Sequence, residues 1–283
     1  MLSNIFNSSK NRGNSVFIHL FLISYTLLAL FPVFLIIINA FKSRKGIFND
    51  PLALPTAETF STKGFEKVLA NSDFFHYFSN SIVVTLGALF FILLLGAMIA
   101  WALSEYDFFG SSFMRFFMAI GIIVPIRLGS VSILETIVSL DLVNTRTALI
   151  LVYIAQGLPM AVFILSEFMA QIPKELKEAA RCDDVSEYKI FFQIVLPLTR
   201  PAIATVAVFS IIPIWNDLWF PLILAPGEEA RTVTLGVQQF IGQYVTDWNS
   251  VLASLTLAVV PVLILYMIFS KHIIRGLTAG AVK

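Results

Sequence analysis

The sequence predicts an all-α membrane protein with six transmembrane helices, on three observations. The 283 residues are 58% hydrophobic and 13% charged, against about 45–50% and about 25% in soluble domains. Ile82–Leu103, Thr147–Ser166 and Val251–Ser270 carry no charge at all, and about 20 helical residues span the roughly 30 Å hydrocarbon core of a bilayer. Most charges fall between such runs, where loops would meet water.

The elements follow in order. Residues 1–15 are polar, with Lys10 and Arg12. Val16–Phe41 is the first span; its apolar stretch far exceeds the roughly 7–15 residues of a signal-peptide core, so it is expected to stay in the membrane. Residues 42–78 read as a long loop with Pro51 and Pro55. Ile82–Leu103 is the second span. A short turn near 104–112 leads to the third, Phe108–Ile126, which carries Arg115 near its start. Residues 127–146 form a half-apolar connection with Arg127, Glu135, Asp141 and Arg146. Thr147–Ser166 is the fourth span, with Glu167 just past its end. Ala202–Leu224 is the fifth and contains Asp217. Residues 225–249 connect it to Val251–Ser270, and 271–283 form a short tail. Pro159 and Pro213 each remove a helical hydrogen bond; they could be hinges for alternating access or static kinks that shape packing, and the static reading is favoured. The chain therefore divides into 1–75 (N-terminal segment, first span and loop), a 76–271 core, and a 272–283 tail.

Several function classes drop out. Net charge is +1, so nothing points to nucleic acid. The single cysteine, Cys182, rules out an internal disulfide framework. No phosphate-cradling Gly-Lys-Ser/Thr loop occurs. His19, His76 and His272 are scattered and read as structural, and no metal set stands out. No nucleophile, base and metal cluster accompanies the spans, so a membrane enzyme is not expected and no catalytic residue is named.

The densest run of charge is "KELKEAARCDDVSEYKIFFQIVLP", Lys174–Pro197, within the connection after the fourth span. Pro173 suits a helix start, and Glu175–Arg181 are mostly good helix formers. Ala179 and Ala180 leave a nearly bare surface. Asp183-Asp184 break the helix, and Ser186 is placed to cap a second one. There Phe191, Ile194 and Val195 share one apolar face, and Leu196-Pro197 end it. The object is a helix–turn–helix hairpin over 172–197 that projects from the bilayer. It could lie on the lipid headgroups or dock on a protein. Near-zero local net charge favours docking, because interfacial helices are usually basic on their polar face.

Asp217 is the one acid well inside a span, so it is expected to face protein or water. Trp215, Asn216 and Trp219 surround it. Aromatic faces with polar groups suit sugar rings; equally, Asn216 and Asp217 could hold a helix–helix contact while the tryptophans mark the interface belt. Both readings stand on sequence. Six spans place both termini on one side. With the N-terminus cytoplasmic, that side holds eleven of the nineteen Lys and Arg residues. The bias agrees weakly with the positive-inside rule, with Lys42, Arg44 and Lys45 against it.

The run "EAARCDDVSEYKIFFQIVLP" resembles the EAA loop of the permeases of ATP-binding-cassette (ABC) importers. Glu178, Ala179, Ala180, Ile194, Leu196 and Pro197 match that pattern at its spacing, and Asp184 stands where the family has glycine. "NSIVVT", "GLPMAVFILSEFMAQIPKELKEAA", "WNDLWFPLIL", "RTVTLG" and "GLTAGAV" are similar, in the same order, to carbohydrate permeases akin to the smaller maltose-type subunit. The resemblance implies a type I ABC importer fold in the bacterial cytoplasmic membrane, importing a sugar, with both termini cytoplasmic and the hairpin as coupling helix. It implies a second homologous permease, a cytoplasmic ATPase dimer and a periplasmic or lipid-anchored sugar-binding protein as partners. No cofactor is expected in this chain; ATP and Mg would sit on the ATPase. Gly276, Gly280 and Lys283 in the tail would lie near the ATPases. The rival mechanism is a secondary sugar or polyol transporter independent of ATP, which usually needs an inverted repeat with midplane ion sites; none is seen.

Overall fold

The computed structural model describes the backbone of residues 2–71, 73–241 and 246–279, and side chains over 15–70, 73–241, 246–264 and at Met267. Every expected span is helical over most of its length, and no strand occurs among the described residues. The helices are α1 Leu2–Ala40, α2 Arg44–Asn49, α3 Lys63–Asn71, α4 Phe74–Glu105, α5 Ser111–Ile123, α6 Ser130–Ser139 and α7 Arg146–Ala170. They continue as α8 Lys174–Cys182, α9 Glu187–Ile190, α10 Leu196–Leu198, α11 Arg200–Asn216, α12 Trp219–Leu224, α13 Val233–Gly236 and α14 Trp248–Ala279.

Three stretches are long and apolar enough to cross a bilayer unaided: Ser15–Ala40 of α1, α4, and α7. Two of the other expected spans depart from straight rods. The third turns through 90° between Ile123 and Ile126, because Pro125 disfavours helix at the residue before it. The fifth is not continuous: α11 stops at Asn216, Asp217 is extended, and α12 restarts at Trp219. The sixth, α14, runs 32 residues by its backbone. Two expectations about loops also change. The helix of the first span begins at Leu2, so the polar segment before Val16 is helical too. The 42–78 loop contains α2 and α3, and α4 starts inside it at Phe74. Pro159 and Pro213 both lie inside helices; the breaks fall elsewhere, at Pro125 and Asp217.

The chain forms two compact units. The first comprises residues 1–72 and 240–257. Phe41 stacks with Phe60 at a ring distance of 6.3 Å and lies tilted against Phe65 at 4.7 Å. Lys42, which opposed the charge bias, is buried with its ammonium on the Asp50 carbonyl at 2.9 Å. Asn249 donates to the Lys42 carbonyl, and Lys67 pairs with Asp247 at 2.6 Å. Most apolar side chains of Ser15–Ala40 are exposed on this chain, as a lipid- or partner-facing helix requires.

The second unit comprises residues 73–239 and 258–283. Its centre is the α4–α7 pair, where small residues let the backbones approach. A side chain at Gly157 would meet Ile92 at 2.5 Å, and one at Gly96 would meet Ala161 at 2.9 Å. Val84, Ala88, Ile92, Ala97, Leu149, Val152 and Leu165 continue that core, into which the 172–197 hairpin also packs.

Candidate functional site

The hairpin is built as the sequence implies, with a turn that fits an αL cap. Helix α8 ends at Cys182, and Asp184 takes φ +54°. The Asp184 N–H donates to the Arg181 carbonyl and the Val185 N–H to the Ala180 carbonyl, which is the Schellman pattern. Glycine is the usual residue there; aspartate is among the few others that visit this region readily. Pro173 occupies the cap position rather than the first turn, and Ser186 sits at the next cap without a side-chain bond. The second helix runs Glu187–Leu198, with a π-helical stretch at Phe191–Val195, and meets α11 at 74°.

The hairpin has two faces, and this changes the expected small surface. Ala180 is buried at 8% exposure in the chain's own core, with Ile190, Phe191 and Val195. Ile194, Leu196 and Pro197 are half-buried. Ala179 and Glu178 are exposed, as are Leu176, Tyr188 and Phe192. Only Ala179 of the alanine pair is therefore open to a partner.

Nor do the hairpin charges all stay wet, as a rim around a docking patch would. Lys177 is buried and pairs with Glu105 Oε2, the last residue of α4. Arg181 donates to Glu105 Oε1 at 2.7 Å and to Glu187 Oε1 at 2.7 Å. The Tyr106 hydroxyl donates to Glu187 at 2.5 Å. Trp101 stands under the cluster, 5.4 Å from the Lys177 ammonium and 6.4 Å from the Phe191 ring. Hydrogen bonds from Arg181 and Tyr106 hold the Glu187 carboxyl below the usual carboxylate range. Burial, then the Glu187 bond, pushes the Tyr106 hydroxyl upward. Glu105 was not anticipated; the available signal was an acid placed directly after an apolar span and no basic neighbour in sequence.

Asp217 lies at the break between α11 and α12. Its Oδ1 accepts from Arg127 at 3.1 Å and from the Trp219 N–H at 3.2 Å. Its Oδ2 accepts from the Tyr153 hydroxyl at 3.0 Å and the Phe220 N–H at 3.1 Å. A carboxylate offers about four lone-pair positions, and this chain's own donors occupy all four. The residue is 8% exposed, so the geometry favours the structural reading. Trp215 is likewise buried, its indole N–H on the Ala258 carbonyl at 3.1 Å and its ring against Phe78. Asn216 and Trp219 are exposed; Asn216 donates to the Ile212 carbonyl, and the Trp219 indole to Ser130 Oγ at 2.9 Å. Tyr153 is the partner the sequence could have suggested, because a tyrosine hydroxyl inside a span needs an acceptor.

Beside this junction a cavity of about 670 Å³ is lined by Pro125, Arg127, Ile133, Gln156, Pro159 and Met160, among others. Arg127 is 63% exposed, and its guanidinium lies 6.0 Å from the Trp219 ring. In the tail, Gly276 belongs to the backbone of α14; Gly280 and Lys283 lie outside the described residues.

Residues 92–279 match the family model for binding-protein-dependent transport system inner membrane components. The chain belongs to this family. It is therefore a transport permease subunit and not an enzyme. The permease is 30% identical over 278 residues to the diacetylchitobiose uptake system permease protein NgcG of Streptomyces coelicolor, covering 98% of this chain and 91% of that one. It is 30% identical over 258 residues to the arabinooligosaccharides transport system permease protein AraQ of Halalkalibacterium halodurans, covering 90% and 92%. In fold it resembles a chain of a bacterial ABC transporter that imports the acidic polysaccharide alginate, with TM-score 0.79, 20% identity, and coverage of 93% and 97%. The fold is that of a type I ABC importer transmembrane subunit.

Proposed function

We propose that this permease forms one half of the translocation pathway of an ATP-driven oligosaccharide importer. The hairpin 172–197 docks on a cytoplasmic ATPase dimer that binds ATP and Mg. A second homologous permease completes the pathway, and a periplasmic or lipid-anchored binding protein delivers the sugar. The observation that carries this reading is the two-faced hairpin: Ala180, Ile190 and Val195 lock it to the chain, while Leu176, Ala179 and Tyr188 are left exposed. Relatives similar over nearly the whole chain carry names for diacetylchitobiose and arabinooligosaccharide uptake, which supports a short oligosaccharide as cargo.

The pathway wall is placed at Asn216, Trp219, Arg127 and Gln156. Arg127 spends one of its five N–H donors on Asp217, and sugar hydroxyls suit the rest. Trp215 and Asp217 support this wall from behind. Both termini face the cytoplasm, with residues 42–71 on the other side, so reporter fusions after Lys63 and Lys283 should read on opposite sides; fusions on the same side would overturn this orientation.

The function is tested in proteoliposomes holding the permease with its partner permease, ATPase and binding protein. Diacetylchitobiose, arabinotriose or raffinose should accumulate only when ATP is hydrolysed. Accumulation driven by an ion gradient without ATP would favour a secondary transporter.

A further inference from the structure

We propose that Glu105 is the positioning residue through which the coupling hairpin grips α4, so that three spans follow the hairpin rather than two. This rests on the coupling role proposed above. Covalent connection ties the hairpin to α7 through Gln171–Pro173 and to α11 through Thr199. Helix α4 has no such connection. Its last turn nevertheless touches both arms of the hairpin. Glu105 has both oxygens engaged, one by Lys177 and one by Arg181 at 2.7 Å. Tyr106 reaches Glu187 at the start of the second arm. Trp101, one turn earlier on α4, lies against Lys177 and Phe191.

The chemistry suits transmission of movement. The Lys177 and Glu105 side chains are 6% and 10% exposed. Pulling either from the other strands a buried charge, which is strongly unfavourable. A buried ion pair contributes little net stability over an apolar pair of like shape, and its best-attested use is to fix register. Here the register fixed is that of α4 against the hairpin. Arg181 bridges Glu105 and Glu187, so the two arms and α4 form one block. Helix α4 packs on α7 along the Gly96–Ala161 and Ile92–Gly157 contacts, and a shift at Glu105 therefore passes into the spans that line the pathway.

The test uses the complete reconstituted transporter and whichever of diacetylchitobiose, arabinotriose and raffinose the wild type accumulates. ATP hydrolysed per sugar imported is compared for wild type, Glu105→Gln, and the exchange Glu105→Lys with Lys177→Glu, in which the pair is reversed and Arg181 keeps Glu187. Glu105→Gln should retain its ATPase subunits and their hydrolysis while uptake falls roughly 5- to 150-fold, the usual range of coupling between linked sites. The exchange should return the ratio towards wild type. An unchanged ratio in Glu105→Gln overturns the proposal, as does parallel loss of ATPase co-purification and uptake, which marks a purely structural brace. If Glu105→Gln does not reach the membrane, the exchange decides: coupled transport supports the grip, and an assembled but uncoupled exchange variant refutes it. ATP-independent uptake by the wild type would instead fail the coupling reading itself, before any variant is compared.

Discussion

The Arg127 guanidinium donates to the Asp217 carboxylate at 3.1 Å, and the pair joins two of the points at which apolar helices break. One break follows the 90° turn at Pro125, and the other separates α11 from α12. Helix breaks at membrane depth leave backbone N–H groups without partners unless the protein supplies them. Asp217 takes two of these, from Trp219 and Phe220.

Asp217→Asn should therefore destabilise the permease more than it alters substrate contact. The carboxamide turns one accepting edge into donors, facing either Tyr153 and Phe220 or Arg127 and Trp219. A buried polar group left unsatisfied costs about 1–3 kcal/mol. Thermal melting of the detergent-solubilised complex should drop clearly for Asp217→Asn and less for Arg127→Gln, because the arginine is largely exposed and such pairs contribute little. Equal melting of Asp217→Asn and wild type would return Asp217 to the pathway.

Ala179 and Ala180, adjacent in sequence, should respond differently to the same change. Ala180→Asp places a charge in the chain's own core, which is strongly unfavourable, and should lower the amount of permease in the membrane. Ala179→Asp leaves the fold intact and should remove the ATPase from the purified complex. Immunoblotting of membranes alongside ATPase co-purification separates the two; normal membrane levels with loss of ATPase in Ala180→Asp would reverse the assignment.

Asp184 holds a left-handed turn that glycine would adopt freely. Asp184→Gly should be neutral or slightly stabilising. Asp184→Val should destabilise by about 1–2 kcal/mol, because a β-branched side chain is strained in that region whereas aspartate visits it. The two melting temperatures should fall on opposite sides of wild type or bracket it closely. A Val variant as stable as wild type would mean that the turn does not need φ > 0.

The hairpin clamp should hold across neutral pH and fail in acid. Glu187 is held below its ordinary value by Arg181 and Tyr106, so its contribution is complete above the ordinary carboxylate range, about 4.3. That contribution is lost as pH falls through the lowered value. Tyr106 is shifted upward, chiefly by burial, and remains a donor up to at least about pH 10. Cys182 is the chain's single cysteine and is exposed, so a nitroxide there reports hairpin mobility directly. Its spectrum should be constant from pH 8 to pH 5 and sharpen below that, while Glu187→Gln should be mobile throughout. A wild-type spectrum that sharpens between pH 8 and 6 would exclude Glu187 as the controlling group.

Local pattern carried much of this protein. Uncharged runs of membrane length located the three helices that can cross a bilayer unaided, within Ser15–Ala40, α4 and α7, because desolvating a charge in lipid is costly enough to empty those stretches of charge. The hairpin was legible for the same kind of reason: Pro173, Asp183-Asp184 and Leu196-Pro197 act on the backbone within a few residues of themselves. The Schellman turn at Asp184 follows from local sterics too.

Pairings across the chain were decided by tertiary structure alone. Lys174–Pro197 displays its charges without saying which are used internally, and Glu105, which takes up Lys177 and Arg181, lies 72 residues before the first of them. Asp217 signals that it needs partners but not that Tyr153 and Arg127 are those partners. Whether Ala179 or Ala180 faces outward depends on where α8 rests on the core, because both are small and apolar and neither has a preference of its own. Helical periodicity assigns residues to faces; only the packing of α4, α7 and the hairpin determines which face is inside.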